Sequence, residues 1–143
     1  MRPGIRDPLA PVTPERVADL LRAQGYGVGQ VAPGVLGGSW DGNTFTIALI
    51  GEDSDVLQVR GTWHRDLEPG TLTGVALIIN DWNRDRIWPK VYSQEVGDVT
   101  RAHTELCLDL SDGVTDAQLN EALACGLGTG VQFFESLGAL LEP

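Results

Sequence analysis

From Val99 to Leu110 the chain alternates without a break, and this pattern limits its fold more than any other feature. Thr100, Ala102, Thr104, Leu106, Leu108 and Leu110 fall on one side; Arg101, His103, Glu105 and Asp109 fall on the other. A period of two sends successive side chains to opposite faces of a strand, so one face is packed and the other is wet. His103 is therefore expected in water. Tyr92–Val96 and the Gly97-Asp98 turn precede this segment as its hairpin partner.

The elements before the hairpin supply the rest of a sheet and its cover. Thr13-Pro14-Glu15 opens a helix with threonine as N-cap, proline at the first helical position and a carboxylate suited to the helix dipole. Val17, Leu20 and Leu21 form its stripe, and Gly25 stops it. Gly27–Val31 and Val35–Trp40 read as short glycine-rich strands, and Asp41-Gly42 as a tight turn of residues that tolerate positive φ. Thr44–Ile50 follows as a strand. Gly51–Ser54 turns the chain, and Val56–Trp63 returns with Leu57, Val59, Gly61 and Trp63 on one face.

Pro69-Gly70-Thr71 introduces a second helix, Thr71 to Arg86, with Leu72, Val75, Ala76, Ile79, Trp82 and Asn83 at helical spacing. Leu77 and Ile78 widen its apolar surface, so the helix is expected to be central or covered on both sides, with Pro89 ending it. Thr115-Asp116-Ala117-Gln118 is a capping box. The helix that it opens carries Leu119, Leu123, Leu127, Val131, Phe134, Leu137 and Leu141, interrupted by Gly126, Gly128 and Gly130. Each glycine costs on the order of 1 kcal/mol in a helix interior, so three imply close backbone packing or a kink. The order α-β-β-β-β-α-β-β-α defines an α+β fold, a largely antiparallel sheet with three helices packed on it. Residues 1–12, with Pro3, Pro8 and Pro11, read as a flexible leader, and 13–143 as one α+β domain.

Composition excludes several functions. Twenty acidic residues against ten basic ones give a formal charge of −10, and Lys90 is the only lysine. Such a surface repels nucleic acid and anionic lipid, so neither is expected as a partner. Cys107, on a strand, and Cys125, in a helical run, match no metal spacing and read as small apolar residues of a reduced, cytoplasmic protein. The first eight residues have no signal-peptide core, and no apolar run approaches the roughly 20 residues needed to span a bilayer.

Four segments carry a family likeness: Gly38–Gly42, Leu57–Trp63, Gly126–Phe134 and Asn80-Asp81-Trp82-Asn83-Arg84-Asp85-Arg86-Ile87-Trp88-Pro89-Lys90-Val91-Tyr92. With the element order, they make the chain resemble the YbjN-type domain family, described as putative bacterial sensory transduction regulators, from about Thr13 to about Leu137. The Asn-x-Trp-Asn-Arg piece is its most specific part. The resemblance implies a fold similar to type III secretion chaperones, small acidic α+β proteins that often dimerise. It supplies no catalytic residue.

The residues expected to bind a partner or ligand are Trp40, Trp63, Asn80, Trp82, Asn83, Arg84, Arg86 and Trp88. Trp82 and Arg86, four apart on a helix, share a face, and guanidinium over indole could receive a carboxylate or phosphate. The structural alternative has Trp82 in the core and Arg84 and Arg86 on helix-end carbonyls. Asn80 and Asn83 need partners on an apolar helix, at the sheet edge or on a second copy. His64 and His103 each stand alone, and the acidic turns fit no calcium loop. Gly25-Tyr26-Gly27-Val28-Gly29 follows a helix instead of joining a strand to one, which excludes a phosphate loop. With no nucleophile context, metal set or cofactor loop, the reading is a non-enzymatic protein-interaction domain, a homodimer binding a protein segment, with no cofactor. The alternative is a small-ligand sensor with a pocket lined by Trp40, Trp63, Trp82 and Arg86.

Overall fold

The computed structural model describes residues 8–141. Helix α1 (Pro14–Ala23) leads into strands β1 (Gly29–Ala32), β2 (Val35–Trp40), β3 (Asn43–Ile50) and β4 (Val56–Thr62). A short 3-10 turn, Pro69–Thr71, precedes helix α2 (Leu72–Asp85); strands β5 (Lys90–Val96) and β6 (Val99–Asp109) and helix α3 (Asp116–Leu141) complete the fold. The six strands form one antiparallel sheet in the order β1-β2-β3-β4-β6-β5. The chain thus leaves β4 through α2, starts again at the far edge as β5, and folds back as β6 between β5 and β4.

Local chemistry explains where the elements begin and turn. Thr13 Oγ1 accepts from the Arg16 N–H at 3.1 Å and caps α1. The capping box at α3 closes reciprocally: the Gln118 N–H donates to Thr115 Oγ1, and the Thr115 N–H to Gln118 Oε1, both at 3.0 Å. Asp41 and Gly42 take φ of 53° and 81°, the left-handed pair that a two-residue hairpin needs. Residues 1–7 of the expected leader lie outside the described residues. Its end is held: Ala10 pairs with Val114, Val12 is buried, and Arg16 donates to the carbonyls of Ala10, Pro11 and Val114 at 2.8, 3.0 and 2.9 Å.

The core lies between one face of the sheet and the helices. Phe45, Ile47, Leu57, Val59 and Ala102 meet Leu119, Leu123, Leu127, Phe133, Phe134 and Leu137 of α3, with Val17 and Leu21 of α1 beside them. Helix α3 runs 26 residues without interruption, so its glycines produce no kink. They admit close packing instead. A Cβ on Gly126 would stand 2.8 Å from Val59 Cβ, and one on Gly130 would stand 2.7 Å from Phe45 Cε2. Gly128 faces open space.

Three expectations are corrected. Helix α2 is not covered on both sides: only Val75, Ile79 and Trp82 are buried, while Leu72, Ala76 and Leu77 face outward. The helix sits at the sheet end beside β5, where a single chain provides one layer to pack against. His103 is not in water but 7% exposed. Its own face of the sheet shields it, since Tyr92 packs on the imidazole at 5.3 Å and Thr62 Oγ1 lies 3.0 Å from Nδ1. Cys107, by contrast, is exposed on that same open face, with Sγ 3.8 Å from Glu105 Oε2, so it is not a buried apolar residue.

Candidate functional site: the junction of helices α2 and α3

Trp82 lies in the last turns of α2, 6% exposed, with its indole edge-on to Phe133 of α3 at 5.1 Å. One turn later the Arg86 guanidinium lies 4.0 Å from the Trp82 ring centre, and the Arg86 N–H closes the helix on the Trp82 carbonyl at 3.0 Å. The i,i+4 spacing therefore builds the stack that helical geometry allows. Arg84 turns outward instead, bonded to Asp85 at 2.9 and 3.1 Å and lying 3.3 Å from Asp81. Among the described residues, neither arginine side chain is bonded to a helix-end carbonyl. The Arg84 hydrogen bond holds the Asp85 carboxyl below the usual range and raises the guanidinium correspondingly.

Asn83 holds the sheet edge. Its amide donates to the Val91 carbonyl at 2.9 Å and accepts from the Val91 N–H at 3.0 Å. Asn80 is exposed on the same helix, and beyond the helix end Ile87 and Trp88 project into solvent, Ile87 at 83%.

The remaining tryptophans lie elsewhere. Trp40 packs between Tyr26 and Phe45, at 5.3 and 5.7 Å. Trp63 is buried under the Arg65 guanidinium at 4.4 Å. Trp40, Trp63, Trp82 and Arg86 therefore share no single cavity. What α2 does build, with α3, is a cleft of about 250 Å³ lined by Ile78, Trp82, Arg86, Ser136 and Leu140. Leu140 is 62% exposed in this cleft, and Leu77, one residue before Ile78 on α2, is 62% exposed as well. Asp81, Asp85 and Arg86 set charged groups in the same cleft as these apolar side chains. The α3 contribution was hidden in the sequence. Leu140 stands next to Leu141, and only the extra leucine outside the Leu137/Leu141 stripe signals an outward apolar position.

Residues 13–139 match the family model of YbjN, described as "Putative bacterial sensory transduction regulator". The chain belongs to the YbjN family. Among solved structures it is similar to "Crystal structure of YbjN, a putative transcription regulator from E. coli", with a TM-score of 0.79 at 14% identity, covering 94% of this chain and 97% of that one. At that identity the likeness concerns the fold. No curated protein matches the chain.

In this YbjN-family fold the α2–α3 junction brings together apolar groups, an aromatic-stacked arginine and paired surface charges. Among the described residues, no group of three or more His, Cys, Asp or Glu is placed to hold a metal ion. Among them, too, no helix is long and apolar enough to cross a membrane. The indole Nε1 of Trp82 is buried and has no hydrogen-bond partner among the described residues.

Proposed function

We propose that this YbjN-family protein is a non-enzymatic regulator-like domain that works by binding a protein segment across the α2–α3 junction, in the manner of a chaperone. One observation carries the reading: Ile78 and Trp82 of α2 and Leu140 of α3 line one cleft, and Leu140 is 62% exposed there. Single exposed leucines are ordinary, but an exposed Leu140 in a cleft with Ile78 and Trp82, with Leu77 also 62% exposed on α2, offers apolar surface of the kind that partners cover. The segment belongs to another protein or to a second copy of this chain, and the same surface serves both.

The test is capture of partners from native extract by wild type and by a Leu77→Asp/Leu140→Asp variant, with sedimentation of both at low micromolar concentration. The double variant should melt like wild type, because both side chains are already in water. It should lose the captured proteins, and any self-association should go with them. Retention of the same proteins and the same sedimentation would remove the junction from the function.

A further inference from the structure

We infer that a second cleft, beside His64, receives a basic side chain of the bound segment; this rests on the partner-binding reading above. The cleft measures about 450 Å³, and Asp41, Asn43, Trp63, His64, Arg65 and Glu135 are among its lining residues, with Phe134 and Gly138. Glu135 and Gly138 belong to the C-terminal turns of α3, the same turns that give Ser136 and Leu140 to the α2–α3 cleft. The two clefts thus flank one end of one helix, and a single extended segment can reach both.

The imidazole at this cleft is held in a defined orientation. Asn43 is 2% exposed, and its Oδ1 lies 3.0 Å from the His64 backbone N and 3.1 Å from His64 Nδ1. A backbone N–H can only donate, so the atom facing it must be the amide oxygen. Asn43 Nδ2 accordingly faces the carbonyls of Trp40 and Asp41, at 3.4 and 3.3 Å. The same oxygen then requires a donor at Nδ1, which leaves Nε2 of the neutral ring as a hydrogen-bond acceptor on the opposite edge.

Two carboxylates, Asp41 and Glu135, outnumber the one guanidinium among the lining residues, Arg65, whose charge sits 4.4 Å from the Trp63 ring centre. Gly138 leaves the floor open: a Cβ there would meet nothing nearer than Trp63 Cζ2 at 3.9 Å. Phe134 and Trp63 add apolar atoms to a lining that is otherwise polar. That combination suits the methylene stem and cationic head of lysine or arginine. A net charge of −10 draws such a segment in.

The probe is a fluorescein-labelled, C-amidated twelve-residue peptide of alternating leucine and lysine, followed by anisotropy at low salt. The leucine/glutamate peptide and free spermidine serve as comparisons. Wild type should bind the leucine/lysine peptide and not the leucine/glutamate one. Asp41→Asn/Glu135→Gln should weaken that binding at least tenfold. Glu52→Gln/Asp53→Asn, the same charge change at the opposite end of β3, should weaken it less than twofold. Gly138→Ala, which alters no charge, should weaken it several-fold by occupying the floor. Equal losses in the two charge variants, or no binding by wild type, would overturn the proposal. So would spermidine binding with the same dependence on Asp41 and Glu135, which would give the cleft to a free polyamine. Loss with Leu77→Asp/Leu140→Asp but not with the cleft variants overturns the His64 cleft alone and leaves the junction reading in place. Loss with the cleft variants alone supports the cleft and counts against the junction.

Discussion

Asn83 and Val91 are joined by two hydrogen bonds, amide to carbonyl at 2.9 Å and N–H to amide oxygen at 3.0 Å. A side chain on α2 thus occupies the place of a strand residue on the free edge of β5. The pair fixes where β5 can start, and it blunts an edge that would otherwise offer unpaired backbone groups to other strands. Asn83→Asp keeps the acceptor but sets a carboxylate against the Val91 carbonyl. It should cost about 1–3 kcal/mol in urea unfolding, with faster amide exchange at Val91. Asn83→Leu should behave similarly, and wild-type exchange at Val91 in either variant would show the bonds to be dispensable.

The glycines of α3 should separate by face. Gly126→Ala and Gly130→Ala place a methyl less than 3 Å from Val59 and Phe45, and overpacking of that kind costs about 1–3 kcal/mol. Gly128→Ala meets nothing and should stabilise by up to about 1 kcal/mol through helix propensity. Melting temperatures of the three variants check this, and the same direction of change in all three would contradict it.

His103 makes stability depend on pH. Burial, reinforced by the Arg60 charge, lowers its pKa from the ordinary value near 6.5. The groups around it are Arg60 and Thr62 on β4, Tyr92 on β5, and Arg101 and Glu105 on β6. As pH falls below about 6.5 the unfolded chain binds a proton that the folded chain refuses. The stability from the neutral ring is therefore complete above that value and lost as pH falls through the folded pKa. His103→Gln should show a smaller drop in urea midpoint between pH 7.5 and pH 5 than wild type does. Parallel curves would mean that other groups carry the dependence.

Arg16 ties three segments, donating to Ala10, Pro11 and Val114 carbonyls and pairing with Asp116 at 2.7 Å. Arg16→Met keeps the stem and removes the donors. It should cost about 1–3 kcal/mol and speed cleavage before Pro14 in limited proteolysis. An unchanged cleavage pattern would show that Val12 alone anchors the segment.

Most of the fold was legible because it rests on local rules. Alternation marked β6, the Asp41-Gly42 pair marked the turn from β2 to β3, and the Thr115/Gln118 box marked the start of α3. Such signals need only neighbours in the chain. The sites were less legible. The Trp82–Arg86 stack followed from spacing four along a helix, but Leu140 joins it from a segment more than fifty residues away. Nothing in the sequence pairs Asn43 with His64, since their contact depends on how β3 and β4 align.

The sequence alone determined the element order and the antiparallel hairpins, because periodicity, capping and φ preference act over a few residues. Only the tertiary structure decided that α2 keeps one face bare, that His103 is buried on the supposedly wet side, and that two clefts flank the end of α3. Burial depends on what lies above a residue, and that is set by layers brought together from distant parts of the chain.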